Sequence, residues 1–140
     1  MFYLDTALLV SGMTNEDESP RIRAWLAKQQ ARDVHISDWV MTEFSSALSI
    51  KLRTRQITRQ VRDDALFQFR AAASRTFNRL AVAARHFDHA AQIADHDELG
   101  LRGADALHLA VAIDNRLALR TLDKRFAAAA RSLGCAAELV

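Results

Sequence analysis

Short apolar runs alternate with segments of helical period along the whole chain, and this alternation limits the folds open to it. Strong strand candidates lie at residues 2–4, 34–36 and 117–121, and weaker ones at 80–82 and 136–140. Between them, apolar residues recur every three to four positions, as on the buried face of a helix. Strands that alternate with helices pair in parallel and are covered by helices. We therefore predict an α/β domain with a parallel sheet of four to five short strands flanked by helices.

Capping residues mark where several of the predicted helices begin or end. Ser19 suits the N-cap of one helix and Pro20 its first helical position. Ser37 and Thr58 are N-cap candidates for the next two helices, since their hydroxyls can accept from free backbone N–H groups. Gly134 suits the C-cap of the last helix.

The length and composition describe one domain, spanning 1–140, with enough apolar residues for a core. Half of the 140 residues are hydrophobic, which argues against a disordered chain. The single cysteine, Cys135, cannot form an intrachain disulfide, so we expect a buried thiol in a reducing compartment. No apolar run is long enough for a bilayer span, and Asp5 interrupts an apolar start that has no basic leader. We expect a cytoplasmic protein without a membrane segment.

Charge is distributed unevenly, although the net charge is only +2. Residues 51–86 contain nine basic and two acidic residues, a local charge of +7. A basic segment beside an acidic remainder suits a protein that binds a polyanion, and Arg53, Arg55 and Arg59 are candidate contacts for the phosphates of such a ligand. The alternative is a solvated, arginine-rich helix face.

Four acidic residues stand where carboxylates are informative. Asp5 ends the first predicted strand and Asp123 closely follows the strand at 117–121, and ligands of parallel sheets sit beyond such carboxyl ends. Glu43 and Asp105 lie among apolar neighbours on predicted helices. Converging carboxylates repel one another unless a cation neutralises them. Because the set offers only oxygen ligands, it favours Mg²⁺, with Mn²⁺ as a substitute.

Each of these acids also has a purely structural interpretation. Asp5 could cap the turn that follows it, and Asp123 could cap the helix that begins next to it. Asp105 could be a first-turn acid favoured by the helix dipole. Glu43 could pair with a basic residue such as Arg53.

Four segments together resemble the PIN-domain family, in particular the VapC-type toxins of bacterial toxin–antitoxin pairs. They are Tyr-Leu-Asp-Thr at 3–6, Thr-Glu-Phe-Ser-Ser-Ala-Leu at 42–48, Leu-Arg-Gly-Ala-Asp-Ala-Leu-His-Leu-Ala at 101–110 and Thr-Leu-Asp-Lys-Arg-Phe at 121–126. Their order and register fit one PIN domain over the whole chain. The resemblance implies a three-layer PIN-like fold.

The resemblance also implies a function and a set of site residues. Asp5, Glu43, Asp105 and Asp123 would be the metal-binding acids of a Mg²⁺-dependent endoribonuclease, which leaves a 5′-phosphate and a 3′-hydroxyl. Thr121 would support those acids through its hydroxyl, and Thr6 is a lesser candidate for the same role. The implied partners are an RNA substrate, a second copy of the chain in a homodimer, and a small antitoxin whose arginine could enter the acidic cleft.

The chain departs from the family pattern at one position, and two other functions stay open. The family often has Ser or Asn two residues after the first acid, where this chain has Ala7, so one polar contact near the site is in doubt.

A catalytically weak domain that mainly binds an antitoxin or RNA is one alternative. A phosphatase with Asp5 as nucleophile is another, although it lacks the second Asp two positions later.

The remaining chemistry-bearing residues suggest no second site. His86, His89 and His96 are interpreted as ordinary exposed histidines, although a shared helix face for the first two would permit binding of a transition metal. His108 lies one helical turn after Asp105, where packing or a hydrogen bond is expected. The two tryptophans are interpreted as core or interface residues rather than platforms for RNA bases.

Overall fold

The computed structural model describes all 140 residues. It contains five strands and seven α-helices. In chain order these are β1 (Phe2–Leu4), α1 (Thr6–Met13), α2 (Ser19–Leu26), β2 (Val34–Ser37), α3 (Asp38–Arg53), α4 (Arg59–Arg75), β3 (Asn78–Leu80), α5 (Ala84–Ala94), α6 (Gly103–Asp114), β4 (Ala118–Thr121), α7 (Lys124–Ser132) and β5 (Ala137–Leu139). Two short 3₁₀ helices, Ala31–Asp33 and Asp97–Leu99, complete the structure. The prediction of an α/β fold with a short parallel sheet flanked by helices is confirmed.

The strands form one parallel sheet in the order β3-β2-β1-β4-β5. Central β1 pairs with β2 on one side and with β4 on the other, so Phe2 is aligned with Val34 and with Ala118. The chain first builds the sheet from β1 toward β3 and later adds β4 and β5 on the opposite side. The direction of growth therefore changes at β1, and the carboxyl end of β1 is the topological switch point where ligands of such sheets bind.

The central strand and the helices share one continuous core of 30 buried residues. All three residues of β1 are buried, as expected for a parallel strand covered on both faces. Phe44 of α3 and Phe69 of α4 stack with ring centroids 4.0 Å apart. This contact joins α4 to α3, the helix that carries Glu43.

Local signals placed most element boundaries to within a residue or two. The Thr58 side chain caps α4 by accepting from the N–H of Val61. Ser19 is instead the first residue of its helix, where its hydroxyl donates to the carbonyl of Ser11 and accepts from the N–H of Glu16. Ser37 makes no side-chain cap bond and contacts Tyr3 instead.

Three differences from the sequence-based expectations have physical causes. Helix α1 was not predicted from the sequence. Six of its eight residues are buried, so it has no polar face that would reveal a helical period. The strand expected at 80–82 lies at Asn78–Leu80, where the Asn78 side chain donates to the carbonyls of Ala31 and Val34. The prediction that His86 is exposed is wrong. His86 is fully buried, and its Nδ1 accepts from the N–H of Ala83.

Other expectations about single residues hold. Cys135 is a free, buried thiol, and burial raises its pKa above the ordinary value. Trp25 and Trp39 are partly buried against the core, and Trp25 lies 5.6 Å from the ring of Phe2. His96 is exposed, as predicted, and His89 bonds at the surface to Asp114. No helix combines the length and the apolar character that a membrane crossing requires.

Candidate functional site

A cleft of about 420 Å³ opens at the carboxyl edge of the sheet, beside the switch point. All four acids predicted from the sequence line it: Asp5, Glu43, Asp105 and Asp123. A second hollow of about 400 Å³ shares the last three acids and adds Arg102 and Arg125. Residues that are up to 118 positions apart in the chain therefore surround one open space.

Asp5 and Asp123 are joined through a buried threonine. The Thr121 hydroxyl, at the end of β4, donates to Asp5 Oδ2 over 2.7 Å. The same hydroxyl oxygen accepts from the backbone N–H of Asp123 over 3.0 Å. The side chain of Thr121 is completely buried. Its two hydrogen bonds therefore hold the ends of β1 and β4 in a fixed relation.

Two of the acids also cap helices, as the structural interpretation proposed. Asp5 is the N-cap of α1 and accepts a long, 3.4 Å bond from the N–H of Ala7. Asp123 is the N-cap of α7, where its Oδ1 accepts from the N–H groups of Arg125 and Phe126. A carboxylate has about four acceptor sites, and these hydrogen bonds occupy only some of them, so capping and binding of a cation are compatible.

Glu43 contacts a histidine and not the arginine considered above. Its Oε2 lies 2.6 Å from Nε2 of His108, which is 1% exposed. Burial raises the pKa of Glu43, but the hydrogen bond from His108 opposes this effect, and the pKa lies below its usual value. The Thr6 hydroxyl also lies near His108 Nε2, at 3.3 Å, so Thr6 reaches the cluster through the histidine.

Asp105, in the first turn of α6, has no ion-pair partner. Burial, and then repulsion from the charge of Asp5, raise the pKa of Asp105 above its ordinary value. No lysine or arginine lies within ion-pair distance of any of the four acids. Uncompensated carboxylates that repel one another are the condition under which a divalent cation binds well.

The donor set fits a hard cation such as Mg²⁺. Asp5, Glu43 and His108 each offer a ligand atom, all within 4.8 Å of one another. The remaining acids add further oxygen donors at the same cleft. Carboxylate oxygens are the ligands that Mg²⁺ and Mn²⁺ prefer, whereas a directly bound histidine would shift the preference toward Zn²⁺ and related ions.

Two charged residues of the cleft escaped the sequence analysis, Lys51 and Glu16. Lys51 is the only cationic side chain among the 12 residues that line the cleft, and its Nζ lies 2.9 Å from Glu16 Oε1. Glu43, Ala47 and Lys51 follow one another at intervals of four, so they lie on one face of α3. That spacing was the available signal for Lys51.

The candidate RNA-contacting arginines lie outside the cleft. Arg53, Arg55 and Arg59 are exposed around the turn between α3 and α4, and none of them forms an ion pair. Arg55 has a φ of 58°, in the left-handed region that a tight turn requires.

Ala7 lines the cleft with a methyl group, where the family pattern often has a polar side chain.

The fold and the cleft together define an α/β domain with an acidic cluster at the switch point of a five-stranded parallel sheet. The chain belongs to the PIN domain family, which it matches over residues 2–132. This confirms the family that the four sequence segments indicated.

Several solved structures share this fold. FitAcB from Neisseria gonorrhoeae has a TM-score of 0.74 at 20% identity, with 98% of this chain and 96% of that chain covered. VapC20 from Mycobacterium tuberculosis, a toxin that cleaves the sarcin-ricin loop, has a TM-score of 0.73 at 20% identity, with 92% and 95% covered. VapBC2 from Rickettsia felis, bound to a promoter DNA fragment, has a TM-score of 0.67 at 20% identity, with 100% and 99% covered. No curated protein matches the sequence.

Proposed function

We propose that this chain is a Mg²⁺-dependent endoribonuclease and the toxin of a type II toxin–antitoxin pair. PIN domains are generally nucleases, and the chain is a member of that family. The observation that carries the proposal is the set of four carboxylates around one cleft, none of which lies within ion-pair distance of a lysine or arginine. In this account Asp5, Glu43, Asp105 and Asp123 bind the cation.

The proposed chemistry divides between the cation and the chain. A bound Mg²⁺ lowers the pKa of a coordinated water and neutralises charge on the phosphodiester. The chain supplies the carboxylates, and Thr121 orients Asp5 through its 2.7 Å hydrogen bond. The walls of the cleft place the RNA phosphate beside the acids, so that attack occurs from a fixed direction.

Lys51 is the proposed contact for a phosphate next to the scissile bond. Its ammonium group has three donors, of which Glu16 and Gln56 accept two, at 2.9 and 3.2 Å. One donor therefore remains for the substrate. Arg53, Arg55 and Arg59, at the exposed turn beyond Lys51, are proposed to hold phosphates further along the strand.

A matched pair of lysine variants tests that contact. With EDTA present to stop cleavage, Lys51→Gln should weaken RNA binding and reduce the slope of log affinity against log salt by about 0.7, the value for one phosphate on a single strand. Lys28→Gln, at an exposed position after α2, is the control and should bind like the wild type. Equal affinities and slopes for the two variants would remove Lys51 from the substrate site.

The proposed protein partners are a small antitoxin and a second copy of the chain. A cleft with four carboxylates suits an arginine side chain, whose guanidinium forms strong paired bonds with carboxylates. One neighbour of similar fold is a toxin–antitoxin complex from Klebsiella pneumoniae, with a TM-score of 0.59 at 24% identity. Co-expression with the product of a small adjacent reading frame should give a complex that no longer cleaves RNA. Sedimentation of the chain alone tests the homodimer.

Analysis of the cleaved ends tests the nuclease proposal. Purified protein should cleave RNA only when Mg²⁺ or Mn²⁺ is present, and it should leave 5′-phosphate and 3′-hydroxyl ends. Sequencing of RNA ends after a short pulse of expression should locate the same sites in cells. Binding of RNA or antitoxin without any cleavage would instead favour the catalytically weak domain. Hydrolysis of phosphomonoesters through a covalent Asp5 intermediate would favour the phosphatase.

A further inference from the structure

A buried series of hydrogen bonds runs from the end of β2 to Glu43. The Ser37 hydroxyl lies 2.7 Å from the Tyr3 hydroxyl, which lies 2.7 Å from His108 Nδ1. On the other side of the ring, His108 Nε2 lies 2.6 Å from Glu43 Oε2. Ser37, Tyr3 and His108 are each at most 1% exposed. So many polar atoms in the core, all satisfied by one another, need an explanation beyond packing.

The positions of the hydrogens follow from the chemistry of the groups. A carboxylate only accepts hydrogen bonds, so the 2.6 Å contact requires a hydrogen on His108 Nε2. In the neutral ring, Nδ1 then has a lone pair and accepts from the Tyr3 hydroxyl. A phenol has an ordinary pKa of about 10, so the Tyr3 hydroxyl carries its proton at neutral pH. The Tyr3 oxygen in turn accepts from Ser37, and every donor finds an acceptor.

This arrangement decides between two roles for the histidine. Ligand atoms of Asp5, Glu43 and His108 come within 4.8 Å of one another, which by itself would permit a site with one nitrogen ligand. An Nε2 that carries a hydrogen has no lone pair to offer a metal ion. From this we infer that His108 is a positioning residue: it holds one oxygen of Glu43 through Nε2–H and leaves the other oxygen for the cation.

The inference rests on the proposed metal site and adds a property to it. Tyr3 and Ser37 fix the orientation and the tautomer of the ring, and the ring fixes Glu43. The cation would then meet oxygen ligands only, although a histidine lies in the same cluster. Such a site discriminates in favour of Mg²⁺ and Mn²⁺ by the chemistry of its ligands.

Pulsed electron paramagnetic resonance of the Mn²⁺-loaded wild-type protein tests the inference without any substitution. We expect no coupling from a directly coordinated nitrogen. A coupling of that kind would overturn the positioning role and make His108 a ligand. This measurement does not depend on how well any variant folds.

Binding of Mn²⁺ to variants tests the same inference by another route. His108→Ala should weaken Mn²⁺ binding roughly 10- to 100-fold, the usual effect of losing a partner of a metal ligand. His108→Gln should recover much of that loss, because its amide can still donate to Glu43. Tyr3→Phe should weaken binding in the same direction but less, since the ring remains. His89→Ala is the control, because His89 bonds to Asp114 outside the cleft.

The outcomes separate this inference from the proposed function. Wild-type protein that binds no Mn²⁺ would overturn the metal site and this inference together. Mn²⁺ binding that is unchanged in folded His108→Ala would overturn only the role of His108. Circular dichroism of each variant establishes that it is folded, and the resonance experiment decides the matter if a variant is not.

Discussion

Replacing Thr121 with valine tests whether one hydroxyl organises the acidic cleft. Valine has nearly the same shape as threonine, so Thr121→Val removes the hydroxyl and little else. Two hydrogen bonds disappear: the one donated to Asp5 Oδ2 and the one accepted from the N–H of Asp123. Because Thr121 is fully buried, water cannot readily take the place of its hydroxyl.

The expected loss of stability follows from these two bonds. A hydrogen bond to a charged acceptor contributes about 1.5–3 kcal/mol and one between neutral groups about 1 kcal/mol. The extra buried methyl group of valine offsets about 1 kcal/mol of this. A net loss of about 1.5–3 kcal/mol should lower the Tm by about 5–9 °C in a protein of this size. Asp5 also loses its orientation, so affinity for Mn²⁺ should fall roughly tenfold.

Thermal unfolding and calorimetric titration with Mn²⁺ measure both effects. Thr121→Ser is the matched control, since it keeps the hydroxyl and removes only a methyl group. It should lose about 1 kcal/mol of stability but keep its Mn²⁺ affinity. If the valine variant matched the wild type in both measurements, or the serine variant lost as much Mn²⁺ affinity as the valine variant, the hydroxyl would have no part in the site.

Three further predictions concern charge. Burial and the charge of Asp5 raise the pKa of Asp105, so ionisation of Asp105 destabilises the fold at pH 7. The Asp105→Asn variant should therefore have a higher Tm than the wild type in EDTA at pH 7. That gain should vanish below about pH 4, where the carboxyl is protonated in both the folded and the unfolded chain, and a Tm difference independent of pH would contradict it. Mg²⁺ should stabilise the wild type by about 2.7 kcal/mol at 100 times its Kd, and it should stabilise the Asp105→Asn variant much less. Equal Tm shifts for the two proteins in differential scanning calorimetry would contradict a shared site. Neutralising Arg53, Arg55 and Arg59 together should flatten the salt dependence of RNA binding without changing the cleaved sequence, whereas an unchanged slope with weaker self-association in sedimentation would assign them to assembly.

The architecture was predictable because its signals are local. The central strand, Phe2–Leu4, is a short apolar run, and caps such as Thr58 act on N–H groups only a few residues away. The four acids stood out for the same reason, since each lies beside a strand end or among apolar residues. Helix α1 gave no such signal, because burial on nearly all sides removes the polar face that defines a helical period.

The partners of the acids were not predictable, because they come from distant parts of the chain. Tyr3 and His108 are 105 residues apart in the chain and meet only in the folded protein. The hydrogen bond from Thr121 to Asp5 likewise spans 116 positions. The family resemblance suggested a supporting hydroxyl at Thr121, but nothing in the sequence distinguished a histidine that serves Glu43 from one that merely packs.

The rate of RNA cleavage by acid variants tests the central claim most directly. Asp5→Asn, Glu43→Gln and the double variant are compared with wild-type protein at saturating Mg²⁺, with a mock purification to measure contaminating nuclease. If the carboxylates share one cation, each single variant loses most of the activity and the double variant loses little more, since the residues act as a unit. Full activity in folded Asp5→Asn protein, above the mock background, would contradict the metal site.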